Sequence, residues 1–297
     1  MKNIFYSLIA LFFYVNAFGI SNDSTEVPVR TKVYHVNRGV VGAITAAGLF
    51  SDYFAIGRIK NKPALDSAEI ADLNTGIINP IDRWALNQNP ANYKKYATIS
   101  DYAQIPIILL PGLLAFNKNI SKDWFDILLM YAEGHTITFT FYNYSPLGPT
   151  FENKYRPATY YTQLPLIDRE SGNNRNSFYS GHTASCAYST FFMAKVWCDY
   201  HPDMGAEKYL WYTAAAVPPI AMGYLRVRAL AHFPSDDAVG FMLGAAVGII
   251  IPEFHKLRTK NISLGLLTSP DETGLSIRWA LTPHEPAAVR NLAPGSM

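Results

Sequence analysis

Charge is scarce in this chain of 297 residues. Asp, Glu, Lys and Arg together make up 16%, against about 25% in an ordinary soluble domain, so much of the folded surface is expected to face protein or lipid. The formal net charge is only +2 and no basic stripe is present, which argues against nucleic acid as a partner. Cysteine is nearly absent. Cys186 and Cys198 fall in one expected helix, twelve residues apart, or about 18 Å at helical rise, beyond the reach of a disulfide. They read as small buried hydrophobes. Also lacking are long uninterrupted apolar runs: most apolar segments stop at or just below the roughly 20 residues that a membrane span needs.

What is there is apolar: 49% of the chain. Residues 1–19 read as a signal peptide, with Lys2, an apolar core and the Ala17-Phe18-Gly19 cleavage pattern. Residues 20–35 read as a polar linker. Six apolar segments follow, at about 39–57, 102–116, 124–142, 183–198, 209–225 and 238–252. Prolines inside them, among them Pro106, Pro111, Pro218 and Pro219, call for kinked helices. The expected fold is therefore all-α, a bundle of about six apolar helices spanning 36–256. After Pro252 the period shifts to two. Ile262, Leu264 and Leu266, then Leu275, Ile277, Trp279 and Leu281, alternate with other residues around a Pro-Asp-Glu-Thr-Gly turn. That predicts a β-hairpin within 257–282, and 283–297 reads as a flexible tail.

Asp126, Glu133 and His135 lie inside the third apolar segment, where charge facing lipid is costly. Glu133 and His135 either help line a pocket or pack between helices. With the signal removed, the mature N-terminus lies outside, so a loop 143–180 on that same outer side requires one of the first three segments not to span. The 39–57 segment, interrupted by Asp52, is the candidate. Buried helices of a soluble enzyme are the alternative to membrane helices.

Three stretches set polar residues against the edge of an apolar helix: Lys154-Tyr155-Arg156-Pro157, Ser180-Gly181-His182, and Arg226 through Asp236. In the third, Pro234 suits a first helical turn. His232 and Asp236, four apart, are expected on one face, the carboxylate holding Nδ1–H and leaving Nε2 free as a nucleophile. Asp237 is rotated about 100° away and reads as an acid suited to the helix N-terminus. The Ser180-Gly181 turn opening a helix offers a hydroxyl and unpaired N–H groups to an anion. Arg156 and Arg226 add planar forks for its oxygens. Together these residues point to phosphoryl transfer. The arginines would repel a cation, which argues against reading His182, His232 and Asp236 as a metal triad. His35, His201, His255 and His284 lack patterned neighbours.

These stretches resemble the three signature blocks of the type 2 phosphatidic acid phosphatase and vanadium haloperoxidase superfamily: Lys-x6-Arg-Pro, Pro-Ser-Gly-His and Ser-Arg-x5-His-x3-Asp. Arg156-Pro157 looks like the end of the first. Ser180-Gly181-His182 resembles the second, with Tyr179 in the proline's place. Arg226-x5-His232-x3-Asp236 matches the spacing of the third, with Leu225 in place of its serine. Pro149 stands where the first block has lysine, and Lys154 is the candidate substitute. The resemblance covers roughly residues 99–252. It implies that His232 attacks phosphorus, oriented by Asp236, and that His182 protonates the leaving group. Arg156, Arg226, Ser180 and the Gly181 N–H would hold the phosphoryl oxygens, and no metal or organic cofactor would be needed. The expected substrate is a lipid phosphate or diphosphate at the outer face of a membrane. Alternatives are a soluble periplasmic acid phosphatase acting on small phosphomonoesters, a haloperoxidase that would bind vanadate, and a degenerate envelope scaffold.

Overall fold

The structure, a computed structural model, describes residues 32–256 and the backbone of 262–268 and 273–279. The expected signal peptide and flexible tail lie outside the described residues. From Val33 onward the chain forms one unit. Among the described residues it has six long helices: α1 (Arg38–Lys60), α2 (Tyr93–Leu109), α3 (Trp124–Tyr144), α4 (Gly181–Tyr200), α5 (Lys208–Arg228) and α6 (Pro234–His255). These are the six apolar segments, so the all-α bundle is the observed fold. The second differs in its bounds. Its helix begins at Tyr93, nine residues before the expected segment, and runs out in a 3-10 stretch at Leu110–Phe116. The expected hairpin falls where side chains lie outside the described residues. The backbone there pairs Ile262–Thr268 antiparallel with Thr273–Trp279.

The packing at the centre is α4 against α6. Gly240, Gly244 and Gly248 recur every four residues on α6, so they form one stripe. A Cβ at Gly240 would stand 2.5 Å from the Ser180 carbonyl oxygen, and one at Gly248 2.8 Å from that of Tyr188. At Gly244 a Cβ would overlap the Ala184 carbonyl. The two backbones therefore touch, as small-residue stripes allow, and this brings the first turns of α4 and α6 side by side. The main apolar core joins α4 and α6 to α1 and α3, with Met130, Tyr188, Phe192, Val196 and Val41 among its buried residues.

Charges inside the bundle are paired across helices. Asp52 is buried on α1 and accepts from Asn143 Nδ2 (2.8 Å) and Thr140 Oγ1 (3.3 Å) of α3. Asp126 takes Arg38 Nε at 2.8 Å, and Glu133 takes His255 Nε2 at 2.7 Å. His135 contacts Tyr131 and Ser189. Glu133 and His135 thus join helices rather than line the site described below. Tyr34, placed in the expected linker, is buried and donates to Asp199 (2.8 Å), so that segment's end belongs to the core.

Among the described residues, three helices are long and apolar enough to cross a membrane: Arg38–Lys60, Pro90–Phe116 and Pro234–His255. The first is the segment expected not to span. Asp52 does not interrupt it, because its carboxylate is turned onto α3 and satisfied there.

Candidate active site

The three polar stretches meet at one end of the bundle. The loops that carry them are tied by a short parallel pairing. Lys154 N–H donates to the Arg175 carbonyl (3.1 Å), Arg156 N–H to that of Asn174 (2.8 Å), and Ser177 N–H to that of Lys154 (2.9 Å). Arg175 anchors this pairing. Its guanidinium grips both Glu69 oxygens at 2.5 Å and the Pro63 and Ala64 carbonyls. Arg175 holds the Glu69 carboxyl down at about 2. A bidentate charged contact of this kind gives direction as well as energy. The long polar connections of the sequence are thus a clamp on the site.

Helix α5 ends abruptly inside the third stretch, at Arg228. Leu230 adopts a left-handed backbone, φ 53°, in the position after a helix where glycine is usual. For a leucine this conformation costs about 1–2 kcal/mol. Its side chain is fully buried with Ala158, Tyr161 and Leu164, and its carbonyl accepts Ala158 N–H at 3.0 Å. Burial therefore holds the strained turn, and the chain reverses to place His232 two residues before α6.

His232 is buried, 2% exposed. Its Nδ1 lies 2.6 Å from the Ser177 carbonyl oxygen. A carbonyl only accepts, so Nδ1 carries the proton and Nε2 presents a lone pair. Burial first, then the positive charges of Arg156 and Arg226, push the imidazole well below its ordinary pKa, which keeps it neutral. The expected direct contact from Asp236 is replaced by a relayed one. Asp236 Oδ2 accepts Ser177 Oγ (2.6 Å) and the Phe233 N–H (2.9 Å), while Oδ1 accepts Lys154 Nζ (2.6 Å). Ser177 thus bonds Asp236 with its hydroxyl and His232 with its carbonyl. The reason is geometric: His232 precedes the helix start, so the four-residue spacing does not place it on a helical face with Asp236.

Lys154 is accordingly committed to Asp236 and to Ser235 Oγ (3.3 Å). In this structure it neutralises a carboxylate instead of standing open to an anion. Asp82, from the amphipathic piece between α1 and α2, is buried and caps α6 from outside, accepting the Ser235 N–H (2.9 Å) and hydroxyl (2.7 Å).

The second stretch is built as a helix start. Ser180 is the N-cap of α4, and its hydroxyl donates to Thr183 Oγ1 at 3.0 Å. Thr183 in turn donates to Asp237 Oδ1 (2.6 Å). The Ser180 hydroxyl is therefore spent inside the protein, and Asp237, read from sequence as a helix-dipole acid, pins α4 to α6. The N–H groups of Gly181 and His182, at the first helical positions, remain the anion-facing feature of this turn.

Arg156 points Nε and Nη2 at the Asn176 carbonyl at 3.4 and 3.3 Å. Burial and nearby Arg226 lower its pKa to about 10, so it stays cationic at neutral pH. Arg226 is buried and donates from Nη1 to Ser100 Oγ (2.9 Å) and Asp101 Oδ1 (3.4 Å), and its Nε has no partner. His182 Nε2 lies 3.0 Å from the same Asp101 oxygen. Burial, then Arg226, lowers the His182 imidazole to about 4. Among the described residues no three His, Cys, Asp or Glu side chains gather where they would hold a metal ion.

Two guanidiniums, a neutral histidine with its lone pair free, and a second histidine on the open side are the parts of a candidate anion site beside a candidate nucleophile. Residues 129–260 match the PAP2 superfamily. This match supports PAP2 superfamily membership. The PAP2 match contains Lys154, Arg156, Ser180, Gly181, His182, Arg226, His232 and Asp236, but not Asp101. No curated protein matches the chain. Among solved structures it is similar to the first transmembrane PAP2 type phosphatidylglycerolphosphate phosphatase from Bacillus subtilis. The two share 20% identity over 71% of this chain and 94% of that one, with a TM-score of 0.40. The PAP2 match and the chemistry of the site together support a phosphatase, and the three long apolar helices among the described residues support membrane association.

Sequence reasoning missed Ser177, Ser100, Asp82 and Asp101. Only Asp101 stood close to a signal: it directly precedes the apolar segment at 102–116, and the structure places it within the helix.

Proposed function

We propose that this PAP2 protein hydrolyses a lipid phosphate or diphosphate at a membrane surface through a phosphohistidine on His232. The observation that carries the reading is the state of His232: neutral, its Nδ1–H committed to Ser177 O, and its Nε2 free near Arg156 and Arg226. The Nε2 lone pair attacks phosphorus, and the bond to the leaving alkoxide breaks as His182 delivers a proton to that oxygen. Arg156, Arg226 and the N–H groups at the start of α4 take the charge of the equatorial oxygens. Water then attacks the phosphohistidine. His182 accepts its proton, the P–N bond breaks, and the electron pair returns to Nε2. Burial and Arg226 lower the His182 imidazole to about 4, so it is neutral in this setting. A phosphate dianion entering beside it favours the protonated form, so substrate itself arms the acid.

Lipid is favoured as substrate because the site lies where α4, α5 and α6 end, and α6 is long and apolar enough to cross a membrane. The active site would then face the exterior at headgroup level. The test is phosphate release from a panel of envelope lipid phosphates and a small aryl phosphate, with His232→Ala as control. Release from lipid that the variant abolishes supports the reading. Release from small esters alone, by protein recovered without detergent, replaces it with a soluble acid phosphatase. No release from any ester sinks it.

A further inference from the structure

Asp101 sits where a phosphate oxygen is expected. Its Oδ1 is 3.0 Å from His182 Nε2 and 3.4 Å from Arg226 Nη1, the two groups assigned above to the leaving oxygen and the phosphoryl charge. The site needs such an anion. Arg226 is close enough to oppose the charge on Arg156, Arg156 makes only long bonds to one carbonyl, and Arg226 Nε has no hydrogen-bond partner. Buried cations without a counter-charge are costly. Unlike Asp236, which is locked by three donors, Asp101 is replaceable. Its side chain is 62% exposed, so it has room to turn out of the site. Its neighbour Ser100 is fully buried and keeps its bond to Arg226 Nη1 (2.9 Å), so Arg226 stays aimed when the carboxylate leaves.

We propose that Asp101 is a specificity-determining residue, a resident carboxylate that holds the phosphate position on His182 and Arg226 and must be displaced by the incoming phosphate. The proposal rests on the phosphatase reading above. Its consequence is that the empty site is masked against weak anions, and that affinity for phosphate is lower than the two arginines alone would give.

The experiment is calorimetric titration of the detergent-solubilised full chain with inorganic phosphate, beside steady-state kinetics on an aryl phosphate. Asp101→Asn is expected to bind phosphate roughly tenfold tighter, about 1.4 kcal/mol, with KM falling in parallel. Asp101→Ala should move both in the same direction, and Arg226→Gln should lose phosphate binding. If Asp101→Asn binds phosphate no tighter, or lowers kcat with KM unmoved, the carboxylate is a support for His182 and the proposal is overturned while the phosphatase reading stands. If wild type and Asp101→Asn neither bind phosphate nor release it from any ester, both fall together.

Discussion

The two histidines of the site live in opposite settings. His232 is 2% exposed and its one committed bond runs to a backbone carbonyl, itself held by a serine whose hydroxyl is bonded to a buried carboxylate. His182 stands at the first turn of a helix, half-buried, and its partner is a carboxylate on an exposed rim. On the proposed reading, the nucleophile is thus locked before substrate arrives, whereas the acid is left with a partner that can be exchanged. A nucleophile gains from a fixed tautomer and a fixed direction. An acid that must give a proton and later take one back gains from a setting that changes with the charge beside it.

The contrast is broken most strongly at the acid. His182→Gln should lower kcat by about 10²–10⁴-fold on alkyl phosphates and far less on a nitrophenyl phosphate, whose leaving group needs no proton. Equal losses on both substrates would remove His182 from the acid role. Next in size is the support of the nucleophile. Ser177→Ala keeps the carbonyl but removes the hydroxyl from Asp236. Denaturation in detergent should show a loss of about 1.5–3 kcal/mol, as for a hydrogen bond to a charged group. With His232 less well held, kcat should drop about tenfold with little change in KM. A stable variant with unchanged kcat would show that Asp236 acts elsewhere.

A smaller effect is the pH dependence of stability. His232 resists protonation in the folded chain, while the unfolded chain protonates it near 6.5. The folded state therefore binds fewer protons, and stability falls as pH drops below about 6.5, by up to about 1.4 kcal/mol per pH unit until the folded imidazole titrates. Thermal midpoints from pH 7 to pH 5 should fall more steeply for wild type than for His232→Gln. Parallel curves would mean that the imidazole is not held neutral by burial.

The helices were legible in the sequence because six apolar segments are set apart by polar connections; the Gly240, Gly244 and Gly248 contact between α4 and α6 appears only in the structure. Arg226, His232 and Asp236 were legible by spacing, and the structure brings them to one place. The partners were not. Spacing four residues apart suggests a direct His232–Asp236 bond only if both lie on a helix, and α6 starts at Pro234. The Ser180 hydroxyl, expected to face an anion, caps its own helix, because a serine at that position bonds locally first. Lys154 was expected to stand in for a lysine missing from the first block, but its amine lies on Asp236. Asp101 escaped notice because hydropathy alone starts its segment at residue 102, whereas the helix begins nine residues earlier.

The central claim is that His232 becomes the phosphorylated residue, and trapping tests it most directly. Full-length protein mixed with ³²P-labelled substrate and quenched within milliseconds should carry label that survives alkali and is released by acid, as a phosphoramidate does. The label should map to His232 and vanish in His232→Gln. Steady turnover with no label on His232 at any quench time, or label on another residue, would contradict the account.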